Sequence, residues 1–305
     1  MCVTNANVCH YVDAFAHEFH PHTGDVMLQY SVCSFDIFVE EVFCSLLNGA
    51  ALAIPSAADK ADLDKLMAFA GRHNVTMISG FPYLIAELNR RPAIPKSLRL
   101  LISGGDVLRG AYVARLLDQA LVYNTYGPSE TTVCASYYRC NGGKVLEDGT
   151  YPVGYPVQGT EIRILDEEGR PVAPGKVGEL CILGGGVPNG YIGDRAFTTS
   201  SDGMRMYRSG DMGYLLPNGA IAFLHRKDNQ VMILGKRVEV AEVESVLYGC
   251  AGVDQALAHA FTGEDGLAYL VAYVVPADGG TVRVSALKQE MSAHLTPFMI
   301  PEFFV

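Results

Sequence analysis

The segment Asn124-Thr125-Tyr126-Gly127-Pro128-Ser129-Glu130-Thr131-Thr132 concentrates groups that could handle a nucleotide. Ser129, Thr131 and Thr132 offer hydroxyls to phosphate oxygens, and Glu130 is a hard oxygen ligand suited to Mg²⁺. Tyr126 could stack on a base, and Gly-Pro fixes a tight loop. The same stretch also reads as a polar turn with Ser129 as a helix N-cap. In Tyr207-Arg208-Ser209-Gly210-Asp211, the acidic residue at a strand start suits ribose hydroxyls, as in dinucleotide folds. Alternatively it is a turn in which Asp211 bonds its own backbone. His225 to Glu239 gathers charge into a candidate linker. Gly178-Glu179-Leu180-Cys181-Ile182-Leu183-Gly184-Gly185-Gly186-Val187 lacks the G-x-x-x-x-G-K-[ST] spacing and reads as a strand running into a tight turn. Asp36 and Glu40 lie four residues apart, so on a helix they share a face. A capping Asp with a solvated Glu is the alternative.

The elements that position these residues fall into three textures. Residues 1–150 alternate helix and strand patterns: a helix over Phe35–Leu47, with Val39, Val42, Phe43, Leu46 and Leu47 at helical spacing and a stop at Asn48-Gly49; a strand over Ala51–Pro55; a helix over Asp62–Asn74; and strands over Val75–Ser79, Leu98–Ser103 (ending in Gly104-Gly105) and Leu121–Asn124. Alternation of this kind predicts a parallel sheet covered on both faces. Residues 151–226 carry short strands, at Glu161–Leu165, Gly178–Leu183, Met212–Leu216 and Ile221–Leu224, between Gly, Pro and Asn turns. Residues 227–305 form an α+β stretch, with strands at Val231–Ile233 and Ala268–Val275 and helices at Val240–Tyr248 and Val284–Leu295. Lys227-Asp228-Asn229 is the candidate hinge. The predicted fold class is therefore α/β: a large parallel-sheet subdomain, a small β-rich subdomain and a C-terminal α+β subdomain.

Composition narrows the classes. The chain has 305 residues, 49% hydrophobic and 18% charged, an ordinary globular balance. A net charge of −10 gives no general attraction to nucleic acid or anionic membrane. No signal peptide or membrane-length apolar run is present, and the eight cysteines form no C-x-x-C pair. Reduced thiols in a cytoplasmic protein are the expectation, with no zinc site.

Taken in order, these motifs resemble the cores of adenylation domains of non-ribosomal peptide synthetases, within the acyl-adenylate-forming family. The cores are Tyr126-Gly127-Pro128-Ser129-Glu130, Gly178-Glu179-Leu180-Cys181-Ile182, Tyr207-Arg208-Ser209-Gly210-Asp211 and Arg226-Lys227-Asp228-Asn229-Gln230-Val231, with Phe35-Asp36 and Met299-Ile300-Pro301 as two more. The resemblance implies ATP and Mg²⁺ as cofactors. Tyr126 would stack on adenine with Phe223 opposite, Asn124 near its amino edge and Gly105 beside the nucleotide. Asp211 would hold the ribose, helped by Arg226. Ser129 would touch phosphate, Glu130 would bind Mg²⁺, and Asp228 would be the hinge of the C-terminal unit. Partners implied are an amino acid, a peptidyl carrier protein with its phosphopantetheine arm, and a small MbtH-like activator.

The resemblance assigns the α-ammonium of the substrate to Asp36 and the side-chain pocket to Ile37, Glu40, Ser79, Ile102, Gly104, Thr125, Val133 and Cys134. One carboxylate in a small, uncharged pocket is costly unless a cation pairs with it. The expected substrate is lysine, ornithine or β-lysine. Two family parts are absent, a Ser/Thr/Gly-rich phosphate loop and a catalytic lysine, so the chain alone is expected to be inactive or weak. His225 stands where the family has Gly. An acyl- or aryl-CoA ligase and a non-catalytic binding module of the same fold are the alternatives, and Asp36 argues against the first.

Overall fold

The computed structural model describes residues 1–193, 197–200, 202–228, 230–263, 267–277 and 280–305. The chain divides into two compact units, Met1–His225 and Arg226–Val305. Asn229, part of the candidate linker, lies outside the described residues.

The first unit begins with a helix not anticipated from the sequence, α1 (Asn5–Phe19), which a reciprocal capping box between Thr4 and Asn7 starts and left-handed His20 ends. There follow β1 (Val26–Leu28), a short α2 (Ile37–Val39), a π-helical turn over Glu40–Cys44, β2 (Ala51–Ala53), α3 (Ala57–Lys60) and α4 (Leu63–Arg72). Asp62 caps α4 by accepting from the Asp64 and Lys65 amides. Then come β3 (Met77–Gly80), α5 (Pro82–Arg90), β4 (Leu100–Ser103), β5 (Leu121–Tyr126), β6 (Ser136–Arg139) and β7 (Tyr155–Pro156). The sheet runs β2-β1-β3-β4-β5-β6-β7, parallel from β2 to β5 and antiparallel from β5 to β7.

Alternation along the parallel strands sends side chains into two cores. Ile78, Leu101 and Val122 pack with Leu66, Met67, Phe69, Ile85 and Leu88 from α4 and α5. Met77, Leu100, Ile102 and Tyr123 pack with Tyr11, Phe15 and Phe19 from α1. The sheet is covered on both faces, as the sequence implied.

The predicted helix over Phe35–Leu47 needs correction. It is a short α-helix that widens into the π turn, and its apolar stripe does not face the core: Phe43, Leu46 and Leu47 are exposed, while Glu40 and Glu41 are buried. The stop is as expected, with Gly49 at φ 76°. Helical periodicity normally marks the inner face. Here internal hydrogen bonds reverse that preference.

A second, five-stranded sheet contains β8 (Thr160–Leu165), β9 (Gly178–Gly184), β10 (Thr198–Thr199) and β11 (Arg205–Leu215) in the order β10-β11-β9-β8, with β12 (Ile221–Arg226) on β11. The register of β11 on β9 shifts between Arg208 and Met212. Ser209-Gly210-Asp211 is thus a bulge inside a long strand, and neither a strand start nor a turn. The glycine run does form a strand entering a tight turn, closed by the Val187 amide on the Gly184 carbonyl at 3.1 Å. Gly185 faces His10, whose Nδ1 would lie 2.7 Å from an added Cβ, and Asn7 donates to the Gly185 carbonyl at 2.7 Å. The run serves close packing against α1.

The second unit holds the hairpin of β13 (Gln230–Ile233) and β14 (Lys236–Glu239), α6 (Val240–Gly249), the long antiparallel pair β15 (Val253–Thr262) and β16 (Ala268–Pro276), α7 (Val284–Ser292), and β17 (Phe303–Phe304) parallel to β16. Its core is Val238, Val243, Leu247, Ala272, Leu287 and Met291. No helix among the described residues is long and apolar enough to cross a membrane. All eight cysteines are free, and Cys2, Cys9 and Cys33 are exposed, unlike the apolar setting read for the rest.

One ion pair joins the chain segments that enter β1 and β4, and its arginine also donates to the last carbonyl of α1, that of Phe19, at 3.3 Å. Asp25, 1% exposed, accepts from Arg99 Nε at 2.7 Å and Nη2 at 2.6 Å, and from the Thr76 hydroxyl at 2.8 Å. Burial alone would raise the Asp25 pKa, but Arg99, Thr76 and the His22 amide outweigh it and hold the carboxyl below its ordinary range. A depressed pKa stabilises the fold above the unfolded carboxyl's titration, and that contribution disappears as pH falls through the folded pKa. Asp25→Ala is expected to cost about 3 kcal/mol at neutral pH by urea denaturation, with the gap to wild type narrowing in acid.

Candidate active site

The carboxyl ends of β3, β4 and β5 converge, as ligand-binding ends do in open parallel sheets. They bring Ser79, Ser103-Gly104-Gly105 and Asn124-Thr125-Tyr126 to one edge. Gly104 is held close to β5: a Cβ there would sit 2.6 Å from Thr125 Oγ1, whose hydroxyl donates to the Ser103 carbonyl at 3.2 Å. Gly105 has φ 81°, a backbone that favours glycine.

At the end of β5, the Asn124 amide donates to the Pro152 carbonyl at 2.9 Å and the Tyr151 carbonyl at 3.4 Å. Those two acceptors fix which way the amide faces. They leave buried Asn124 Oδ1 without a hydrogen-bond partner. Tyr126 donates to Asp211 Oδ2 at 2.6 Å, and the Ser209 hydroxyl accepts from the Asp211 amide at 3.0 Å. Tyr126 and Phe223 pack against the same cluster of Val153, Ile164, Leu180 and Ile221. The β11 bulge is what turns Asp211 toward Tyr126.

The expected N-cap role of Ser129 is not found. Pro128 precedes the 3₁₀ turn Ser129–Thr131, and the Ser129 hydroxyl donates to Asp36. Glu130 is buried and accepts from Tyr191 at 2.7 Å. Among the described residues no group of three or more His, Cys, Asp or Glu forms a metal cage. A lone carboxylate suits Mg²⁺, which keeps waters and takes its remaining ligands from phosphates. Thr132 and Val133 follow with φ 62° and 71°, and the Thr132 hydroxyl donates to the Gly186 carbonyl at 2.7 Å. Two consecutive β-branched residues in the left-handed region store strain, of order 1–3 kcal/mol each. The packing of Val133 and Cys134 in the core beside Tyr11 and Tyr137 holds that backbone in place.

Around α2 and the π turn, burial pushes the Asp36 pKa up, the Ser129 hydroxyl opposes this, and the Glu130 charge adds to it. Asp36 makes no capping hydrogen bond. Glu40 is 1% exposed and accepts the Tyr11 hydroxyl on Oε2, while Oε1 has no partner. Burial raises its pKa to about 7 against the pull of Ser79 and Tyr11, with Glu41 and Asp36 raising it further. The Cys134 thiol is pushed far up, by burial first and by Glu40 next. Ile102, Thr125 and Val133 are buried and Ile37 half-buried. Neighbouring Glu41 is fully satisfied by the Tyr30 and Ser31 amides at 2.9 and 3.0 Å, Gln29 Nε2 at 3.1 Å and the Ser31 hydroxyl.

Arg226 belongs to the second unit, where Nε and Nη2 donate to Asp228 at 2.7 and 2.6 Å. Those bonds hold the Asp228 carboxyl below its usual range. His225 is accommodated in β12. Sequence reasoning missed Tyr11 and Tyr191, the donors to Glu40 and Glu130. The spacing of Tyr11, Phe15 and Phe19 at every fourth residue could have revealed α1 and its inner face.

These features agree with the comparisons. The family of AMP-binding enzymes matches residues 1–192, and the C-terminal domain of AMP-binding enzymes matches residues 242–305. The chain belongs to the AMP-binding enzyme family. It is similar to bacitracin synthase 2 of Bacillus licheniformis, 35% identical over 99% of this chain and 12% of that protein. It is also similar to gramicidin S synthase 2 of Brevibacillus brevis, 35% identical over 92% of this chain and 7% of that protein. The structure of the Vibrio cholerae adenylation domain AlmE, in complex with glycyl-adenosine-5'-phosphate, superposes with a TM-score of 0.88 at 26% identity, over 99% of this chain and 59% of that one. The resemblance to peptide-synthetase adenylation domains is borne out, and the chain spans less than two thirds of each of these relatives.

The Glu40 titration has a stability consequence. Its pKa rises from 4.5 unfolded to about 7 folded. The associated stability is full below the lower value and lost as pH rises through the upper one. Glu40→Gln is therefore expected to gain on wild type by roughly 2–3 kcal/mol between acid and mildly alkaline pH, read by urea denaturation. A pH-independent difference would show that folding leaves the Glu40 pKa unshifted.

Proposed function

We propose that this chain supplies the nucleotide and amino-acid contacts for ATP-dependent activation of a cationic amino acid: lysine, ornithine or β-lysine. The product is an aminoacyl adenylate destined for the phosphopantetheine thiol of a peptidyl carrier protein. The observation that carries the substrate is Glu40, a buried carboxylate with one oxygen bonded to Tyr11 and the other without a partner. Left alone, such a group protonates near neutrality, and a substrate ammonium beside it restores the charge. The names of the relatives, as synthases of bacitracin and gramicidin S, and the glycyl adenylate in the Vibrio cholerae structure support the reaction class.

The nucleotide groups fit ATP. Asn124 Oδ1 is a buried acceptor with an empty valence, matched to the exocyclic amine of adenine. Tyr126 and Phe223 offer ring faces, and Asp211 offers a carboxylate to ribose hydroxyls. Glu130 would hold Mg²⁺, which neutralises phosphate charge. In the reaction a carboxylate oxygen of the amino acid bonds to the α-phosphorus as pyrophosphate leaves. The work of the protein is to hold the two reactants in line, with Asp36 on the α-ammonium and Ser129 bridging from Asp36 toward the phosphate.

Calorimetric titration of the chain with non-hydrolysable sulfamoyl-adenosine analogues tests the reading. The lysyl analogue is expected to bind at least about 10-fold more tightly than the isosteric norleucyl one, and Glu40→Gln is expected to erase most of that preference. Equal affinities in wild type would sink the cationic assignment while leaving adenylate binding intact.

A further inference from the structure

Tyr11 lies on α1, 25 residues before Asp36 and outside every motif that carries nucleotide or amino-acid chemistry. The geometry points to Tyr11 as a specificity-positioning residue: by donating its phenol proton to Glu40 Oε2, it orients the carboxylate so that Oε1, which has the Ser79 hydroxyl nearby but no hydrogen bond of normal geometry, is left to accept the distal ammonium of the substrate. This inference rests on the cationic-substrate reading above and names the group that makes Glu40 selective.

A glutamate has several side-chain torsions, and an unrestrained carboxylate would be a poorly directed acceptor. Tyr11 removes that freedom because it is itself immobile. It is 1% exposed, its ring lies edge-on to Phe15 with centroids 6.5 Å apart, and it packs with Cys44, Tyr137 and Cys134. The helix beneath it is pinned at its N-terminus by Asn7, which donates to the Gly185 carbonyl at 2.7 Å and the Val187 carbonyl at 3.4 Å. Burial drives the Tyr11 pKa well above its ordinary value, so the phenol remains a donor. Among the described residues, the ionisable groups with the largest effect on Glu40 or on Tyr11 are Asp36, Glu41, Cys44, Cys134 and Tyr137, none of them a cation. The positive charge that completes this pocket therefore comes from the ligand.

Tyr11→Phe keeps the ring and removes only the donor. With the lysyl and norleucyl sulfamoyl-adenosine analogues as calorimetric probes of the chain, it is expected to weaken lysyl binding by about 10-fold and leave norleucyl binding unchanged. In the Glu40→Gln background the same substitution is expected to have no further effect on selectivity. The pH midpoint of lysyl binding, near the Glu40 value of about 7 in wild type, is expected to move up, because a hydrogen bond that favoured the ionised carboxyl has gone. Phe15→Leu is the packing control and is expected to change both affinities alike. If wild type prefers the lysyl analogue and Tyr11→Phe keeps that preference and midpoint, the role of Tyr11 is overturned and the substrate reading stands. If Phe15→Leu reproduces the selective loss, packing is responsible and the role is likewise overturned. No preference in wild type overturns both.

Discussion

A carboxylate shut away from water must be satisfied by the protein or by what the protein binds. Glu40 and Glu41 present that demand twice in succession, and much of the first unit is arranged around the two answers. Glu41 is answered internally, by two backbone amides, a hydroxyl and a side-chain amide. Those bonds cross-link the π turn to the segment after β1 and set the depth of the whole turn. Glu40 is answered only in part, by Tyr11. One acidic residue is thus a fixed point of the fold, and its neighbour is a site.

The parallel sheet supplies the other half of the arrangement. Its strands end together, so groups far apart in the chain reach one edge without long loops. Asn124 at the end of β5 has its donors committed and an acceptor left over. Tyr126, two residues on, reaches the bulge in β11 from the neighbouring sheet. Both devices follow one rule: partners that are supplied by the protein orient a polar group, and the valence left open defines the ligand. The hydrogen bond from Ser129 to Asp36 joins the loop after β5 to the start of α2, so a shift of either segment bears on the geometry of the other.

Much of this was legible in the sequence. Alternating helix and strand patterns gave the parallel sheet, and motif order gave the family. Tyr126, Asp211, Asp36 and Ser129 could be singled out from spacing and resemblance alone, though the hydrogen bonds that pair Tyr126 with Asp211 and Ser129 with Asp36 could not. The Phe35–Leu47 stretch was misleading for a physical reason. Periodicity scores the cost of exposing Phe43, Leu46 and Leu47, but it has no access to the hydrogen bonds that make burial of Glu40 and Glu41 tolerable. Helix α1 escaped notice because its signals are an Asn-based capping box and polar residues interspersed among Tyr11, Phe15 and Phe19. The β11 bulge was invisible because a Ser-Gly-Asp triplet reads as a turn unless its partner strand is known.

The π turn over Glu40–Cys44 also affects how this pocket can vary. A wide turn holds one residue more than an α-helical turn, and each residue of an α-helix advances about 100° around the axis. Loss of a single residue here would let the turn relax to α geometry and rotate the two glutamates relative to the sheet, exchanging a committed carboxylate for an open one. In this stretch, chain length bears on the orientation of both carboxylates, separately from the identity of any side chain.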